Sequence, residues 1–115
     1  MGEYNEDDHL SEILKATSDL TRRSLLTALV QEGPMRVTDL ADRYDMSLNA
    51  ISKHIKVLEK AGLVSRQTHG RVHLIKAELT QLQMVDAWFK KLRSIWEIRL
   101  DLLEETLQNG DRENE

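Results

Sequence analysis

The chain of 115 residues contains no cysteine, one proline and five glycines. Without cysteine a protein has no disulfide, no thiolate metal site and no cysteine nucleophile, and this absence fits a reducing compartment. No apolar run approaches the roughly 18 residues that a membrane span needs. Residues 1–8 are acidic and polar, unlike a signal peptide. These absences predict a cytoplasmic protein with no membrane partner.

The residue patterns of an enzyme are also missing. The sequence has no glycine-rich phosphate loop and no Ser-His-Asp arrangement with local support, and its acidic residues fall on solvated helix faces or in the terminal segments. With 40% hydrophobic and 31% charged residues, the chain has the length and balance of one folded domain. We predict a single domain over residues 1–115 that is not an enzyme, with no catalytic residues and no cofactor.

Charge is distributed unevenly along the chain, whose formal net charge is −4. Residues 1–12 and 97–115 each carry a net charge of −5, whereas residues 47–76 carry a net charge of +5. We call residues 47–76 the basic segment. A charged segment is often only a solvated face, so it indicates nucleic-acid binding only where the predicted structure presents it on one surface.

The spacing of apolar residues predicts helices in the first half of the chain. Two helices are expected within residues 10–35, the second capped by Asp19 and ended by Gly33. Residues 36–62 contain two more helices joined by a tight connection, with Ser47 as the N-cap of the second. Two short helices joined in this way form a helix-turn-helix.

A β-hairpin and a long helix are predicted to follow. Residues 63–76 contain two stretches of β-branched or alternating apolar residues with Gly70 at the turn between them, which predicts a small wing. Residues 78–108 contain no glycine or proline and repeat apolar residues every three or four positions, as one long helix does. Such a helix would span roughly 45 Å, more than a domain of this size covers. The predicted fold is therefore mainly α with a small β-hairpin, a winged helix-turn-helix, and a partner subunit explains the long helix most simply.

The basic segment coincides with the second helix of the helix-turn-helix and with the wing. In this motif the second helix enters the major groove of DNA, and a wing tip can reach phosphate or the minor groove. Because Ile51, Ile55 and Leu58 are expected to face inward, the predicted contacts with duplex DNA lie on the opposite face and after the hairpin glycine. These residues are Ser47, Leu48, Asn49, Ala50, Ser52, Lys53, His54, Lys56 and Arg71.

The chemistry of these side chains suits DNA. Asn49 can pair with adenine, Ser47 and Ser52 can bond bases or phosphates, and Leu48 or Ala50 can contact a thymine methyl. The lysines and the arginine can reach phosphate or guanine. The alternative is a winged helix that uses the same surface to bind another protein and not DNA.

The histidines allow more than one interpretation. His54 lies at the edge of the outer face, where a role in holding the helix to its neighbours is favoured over a DNA contact. His9, His69 and His73 come from separate predicted elements, which disfavours a zinc site and favours exposed polar roles.

Residues 47–64 resemble the recognition-helix signature of ArsR/SmtB-type bacterial repressors. The family commonly has S-Q-P-A-V-S-x-H-L-x-V-L-x-x-A-G-L-V, and this chain has S-L-N-A-I-S-K-H-I-K-V-L-E-K-A-G-L-V. Residues 19–23, D-L-T-R-R, are similar to the family's D-P-T-R-R, and Gly70 with Arg71 resembles its wing G-R. The resemblance covers about residues 10–107.

The resemblance implies a homodimeric winged helix that binds an inverted-repeat operator and represses transcription until a signal releases it. It also implies that the subunits pair through the first and last helices. The expected dimer-interface residues are Leu10, Ile13, Leu14, Val85, Trp88, Phe89, Leu92, Trp96, Leu100 and Leu103. Leu48 and Asn49 replace the family's frequent Gln-Pro, so the base preference is expected to differ from that of typical members.

The metal sensors of this family carry a C-x-C motif on the third helix or histidine ligands on the last helix. This chain has V-T-D-L at residues 37–40 and no histidine in residues 78–108. Residues 88–104 resemble instead a metal-free branch with tryptophans and an R-L-D-x-L-E ending. We therefore expect no metal site.

Trp88 and Trp96 lie eight residues apart on the predicted C-terminal helix. Both could line a small-molecule pocket at a subunit interface, although aromatic residues at helical spacing usually pack against a core. A small-molecule-gated sensor is thus a second alternative, and the sequence identifies no effector.

Overall fold

The computed structural model describes the backbone of residues 5–113 and the side chains of residue 5 and residues 7–110. The elements, in order, are α1 (Glu6–Ala16), α2 (Leu20–Glu32), β1 (Met35–Arg36), α3 (Val37–Arg43), α4 (Leu48–Lys60), β2 (Val64–His69), β3 (Val72–Ala77) and α5 (Leu82–Glu113). The chain divides into two compact units, Met1–Val85 and Asp86–Glu115. Within the described residues, no helix is long and apolar enough to span a membrane.

Side-chain caps begin the first two helices. The Asn5 side chain accepts a hydrogen bond from the backbone N–H of Asp8 at 3.0 Å, so α1 begins at Glu6 rather than near residue 10 as predicted. Asp19 accepts from the backbone N–H of Arg22 at 3.0 Å and caps α2 as predicted. These bonds satisfy N–H groups that have no partner within the helix.

Helices α3 and α4 form the predicted helix-turn-helix. The connection between them is tight: Asp45 has a φ of 51°, and the N–H of Met46 donates to the carbonyl of Ala41 at 3.0 Å. Ser47 Oγ accepts from the N–H of Ala50 at 3.1 Å and caps α4 as predicted.

The wing contains one strand more than predicted. Strands β2 and β3 pair in antiparallel fashion around Gly70, whose φ is 64°. Strand β1 pairs with the other edge of β3, with Met35 opposite Ile75 and Arg36 opposite Leu74, which gives the order β1-β3-β2. The sheet therefore joins the wing to the residues that immediately precede α3.

One apolar core holds the first unit together. Its buried members are Ile13, Ala16, Leu25, Leu29, Val37, Leu40, Ala41, Ile51, Ile55, Leu58, Ala61, Leu63, Val64 and Ile75. The prediction that Ile13 belongs to a dimer interface is wrong, because its side chain is only 1% exposed within the core of its own chain. Val85, also expected in that interface, is half-buried and packs against the same core.

Helix α5 begins at Leu82, four residues later than predicted, and ends at Glu113 rather than near residue 108. The N–H of Glu78 donates to the carbonyl of Leu63 at 2.8 Å, so the residue expected to start the helix is held by the strand region. The N–H of Leu82 donates to the carbonyl of Leu79 in a turn before the helix.

The second unit consists of the remainder of α5 and exposes many apolar side chains. These are Trp88, Phe89, Leu92, Ile95, Trp96, Ile98, Leu100, Leu102, Leu103 and Leu107. The rings of Trp88 and Phe89 contact each other, with centroids 5.0 Å apart.

Candidate nucleic-acid interface

The outer face at the start of α4 is open to solvent. The predicted DNA-contacting residues that are exposed are Ser47, Leu48, Asn49, Lys53, Lys56 and Arg71. Those that are half-buried are Ala50, Ser52 and His54. The inner face of α4 contributes Ile51, Ile55 and Leu58 to the core, each at most 1% exposed, so packing alone fixes which face is presented.

A cleft of about 460 Å³ lies between α4 and the wing. Leu48 and Ser52 of α4 and Arg71 of the wing line it, so the structure brings these predicted residues together. Arg36 and Thr38, at the start of α3, line the same cleft and were missed by the sequence analysis. The signal for them was available, because the first helix of a helix-turn-helix lies over the DNA backbone.

Half of the six basic side chains of the basic segment are paired within the chain. Arg66 donates to Glu59 at 2.8 Å, Lys60 lies 3.5 Å from Glu12, and Lys76 lies 3.8 Å from a carboxylate oxygen of Glu78. The other three are Lys53, Lys56 and Arg71. Among the residues that the structure describes, no ion pair of these three occurs at 4.0 Å or less, so their charges are available to an external anion.

His54 is tied to the start of α2. Its Nδ1 lies 3.4 Å from Nη1 of Arg22 and 3.8 Å from Oδ2 of Asp19. Arg22 is itself fixed, because its guanidinium donates to the carbonyls of Ala16 at 2.8 Å and Lys15 at 3.1 Å. This geometry favours the structural role of His54 over a direct DNA contact, because its contacts with Arg22 and Asp19 orient α4 against α2.

The same cluster perturbs one carboxyl group. The backbone N–H of Arg22, hydrogen-bonded to Asp19, lowers the pKa of that carboxyl below its usual value, and the charges of Arg22 and His54 act in the same direction. Desolvation opposes the shift without reversing it. Asp19 is therefore a charged helix cap at neutral pH.

Comparisons with known proteins give a consistent result. A family model described as "Helix-turn-helix domain" matches residues 17–67. The transcriptional repressor SdpR of Bacillus subtilis (strain 168) is 32% identical over 79 residues, which cover 69% of this chain and 87% of SdpR. A crystal structure of an ArsR family transcriptional regulator aligns with a TM-score of 0.74 and 35% identity, covering 84% of this chain and 97% of that one. An ArsR-like transcriptional regulator from Rhodococcus sp. RHA1 aligns with the same TM-score and 29% identity, covering 84% and 91%.

The chain belongs to the ArsR family of winged helix-turn-helix regulators. It is a DNA-binding transcriptional regulator and, like its family, no enzyme. Both predictions made from the sequence are thereby confirmed, as is the winged helix-turn-helix fold.

In this ArsR-family regulator the histidines considered for zinc are not brought together. Among the residues that the structure describes, no group of three or more His, Cys, Asp or Glu side chains is placed to hold a metal ion. Nε2 of His9 lies 3.1 Å from the carbonyl oxygen of Ala61, and Nδ1 of His73 lies 3.2 Å from Oγ1 of Thr68. Each of these two rings therefore has a partner within its own unit.

The residues expected in the dimer interface of the ArsR-family regulator differ in exposure. Leu10 and Leu14 of α1 are half-buried and lie outside the buried core. On α5 the exposed members are Trp88, Phe89, Leu92, Trp96, Leu100 and Leu103. All eight have surface available to a partner, unlike Ile13.

Proposed function

We propose that this regulator represses transcription as a homodimer bound to an inverted-repeat operator, with one α4 helix in the major groove of each half-site. The observation that carries the proposal is a set of three exposed cations, Lys53 and Lys56 on α4 and Arg71 on the wing beside it, none of which has an ion-pair partner among the described residues. Such cations replace counterions on DNA phosphates, which supplies most of the sequence-independent affinity. Because its proposed target is duplex DNA, we place the regulator in the cytoplasm.

Repression as the output is supported by the names of two relatives. SdpR of B. subtilis is a transcriptional repressor, and the arsenical resistance operon repressor of B. subtilis is 32% identical over 56 residues, covering 49% of this chain and 53% of that protein. A protein seated on an operator represses by occupying the site that transcription needs. We expect neither relative's target genes to apply here, because Leu48 and Asn49 stand where the family commonly has Gln-Pro.

The dimer is supported by the exposed apolar side chains of α5. Two half-sites one duplex turn apart place the two copies of α4 roughly 34 Å from each other. A stable interface between the subunits must hold them at that distance. We assign the interface to the eight residues with free surface on α1 and α5, from Leu10 to Leu103. Val85 would contribute only the part of its surface that its own core leaves uncovered.

The test is a selection of bound sequences from random duplex DNA, made at two salt concentrations on protein of measured oligomeric state. The expected result is an inverted repeat whose affinity falls about 10³-fold or more between 50 and 200 mM salt, as for six or more phosphate contacts. An enriched sequence without internal symmetry would contradict the dimeric arrangement. No enrichment from a stable dimer would favour the protein-binding winged helix instead.

A further inference from the structure

We propose that Leu48 determines base specificity by contacting the C5-methyl group of a thymine in each operator half-site. This inference rests on the proposed function, because it requires the start of α4 to lie in the major groove. It assigns to one exposed apolar side chain a recognition role that hydrogen-bonding residues usually have.

Leu48 is the first residue of α4 and is 53% exposed. The core does not need Leu48, because the inward side chains of α4, such as Ile51 and Ile55, are at most 1% exposed and already fill it. Leu48 instead faces the cleft beside the wing, where Val72 is also exposed, at 38%. The cleft therefore contains a small apolar patch, Leu48 and Val72, next to Arg71.

The chemistry of the major groove leaves one partner for such a patch. Each base pair presents hydrogen-bond donors and acceptors there, and the thymine methyl is the one apolar group on these edges. A leucine placed against the amino group of cytosine or adenine would remove water from a donor without replacing its hydrogen bond, which is costly. Leu48 therefore favours thymine both by burying the methyl and by leaving the amino groups of cytosine and adenine without a hydrogen-bond partner.

The neighbouring side chain favours the same base pair. Asn49 is exposed beside Leu48, and an asparagine amide pairs best with the N6 and N7 atoms of adenine. Thymine and adenine are partners in one pair, so the two residues agree in their preference. We expect A·T pairs beneath the start of α4 in both half-sites.

The experiment uses the operator recovered by selection, with each thymine replaced in turn by deoxyuridine. Deoxyuridine keeps the hydrogen-bonding groups of thymine and lacks only the methyl. Wild-type protein should lose roughly fourfold in affinity at the contacted thymine, equivalent to about 0.8 kcal/mol for one buried methylene-sized group. Leu48→Ala protein should bind more weakly than wild type and be indifferent to the same replacement.

Leu20→Ala is the matched control. Leu20 is the first residue of α2, is 74% exposed and lines no part of the cleft beside the wing. This variant should show the wild-type loss on deoxyuridine. Thermal melting of all three proteins checks that neither substitution changes the fold. We expect little change, because both positions are exposed.

Two results would overturn the inference while leaving the proposed function standing. In one, wild-type protein binds every deoxyuridine operator as tightly as the thymine operator. In the other, Leu48→Ala keeps the full wild-type loss, so that another residue contacts the methyl. A selection that enriches no sequence at all would overturn the proposed function and this inference together.

Discussion

Gly62 and Gly70 both have a positive φ, yet an added side chain would meet different surroundings at the two positions. A Cβ on Gly62 would lie 3.1 Å from Cγ of Gln81, whereas nothing lies within 4 Å of one on Gly70. We expect Gly70→Ala to cost roughly 1–2 kcal/mol of stability for the left-handed backbone alone. Gly62→Ala should cost more, because Gln81 must also move. Denaturant unfolding compares the two, and equal losses would show that Gln81 adapts freely.

Lys53 and Lys60 lie on the same helix and differ in their partners. Lys53 has an exposed side chain with no ion-pair partner among the described residues, whereas Lys60 lies 3.5 Å from Glu12. We expect Lys53→Ala to weaken binding to all DNA sequences and to reduce the slope of log affinity against log salt by about one per subunit.

Lys60→Ala is the matched control and should leave that slope unchanged. Fluorescence anisotropy titrations at several salt concentrations measure both variants. If Lys53→Ala kept the wild-type slope, α4 would not face phosphates as assigned here.

At the scale of the element, α2 begins on a charged cap whose strength depends on pH. The pKa of Asp19 is lowered in the folded protein, so its charge stabilises the fold above the unfolded value of about 3.9. That contribution is lost as the pH falls below about 4 and through the folded pKa. Asp19→Asn keeps an oxygen that can cap the helix but carries no charge.

We therefore expect wild-type protein to lose more stability than Asp19→Asn as the pH falls below about 4, so that the melting temperatures of the two proteins converge at low pH. Thermal melting monitored by circular dichroism across this range makes the comparison. A constant difference between the two proteins would mean that the carboxylate charge contributes nothing to the cap.

Helices α2, α3 and α4 were predictable because each combines a cap residue with apolar positions that recur on one face. The start of α1 was not, since its first turn is polar and depends on the Asn5 cap. Strand β1 has two residues, too few to show alternation, and forms only because β3 offers an edge for pairing. Periodicity finds elements that carry their own pattern and misses those that depend on a neighbour.

In the candidate site, too, local sequence predicts some features, and others depend on contacts with a neighbouring element. The outer face of α4 follows from its own sequence: the structure exposes Leu48, Asn49, Lys53 and Lys56, whereas Ala50, Ser52 and His54 are half-buried. The pairing of Arg66 with Glu59 could not be foreseen, because the two residues lie seven apart across the end of a helix. Counting charges along the sequence therefore overstated the number of cations without an ion-pair partner, because three of the six in the basic segment are paired in the described structure.

At the scale of the whole molecule, the exposed apolar side chains of α5 make the oligomeric state testable. We expect Leu103→Glu to shift the protein to monomers, because a carboxylate would have to be buried in the proposed interface. Operator affinity should then fall roughly 10²-fold or more, since two half-sites would no longer be bound together.

Ser94→Glu is the control, because helical periodicity places Ser94 on the opposite side of α5 from Leu103. That variant should remain a dimer and bind as wild type does. Sedimentation velocity measures the assembly state of both proteins. A Leu103→Glu protein that stayed dimeric would exclude this face as the interface.

The wing has three paired strands at its base and two at its tip. Strand β1 pairs with β3 only at Leu74 and Ile75. The outer pairs of β2 and β3, Thr68 with His73 and His69 with Val72, therefore form a two-stranded ribbon beyond a three-stranded base. A two-stranded ribbon alone is marginally stable in water, so we expect this outer end of the wing to bend more easily than its three-stranded base. The width of a DNA groove varies with sequence. If Arg71 contacts DNA as proposed, a tip that bends more easily than its three-stranded base would let this side chain follow grooves of different width.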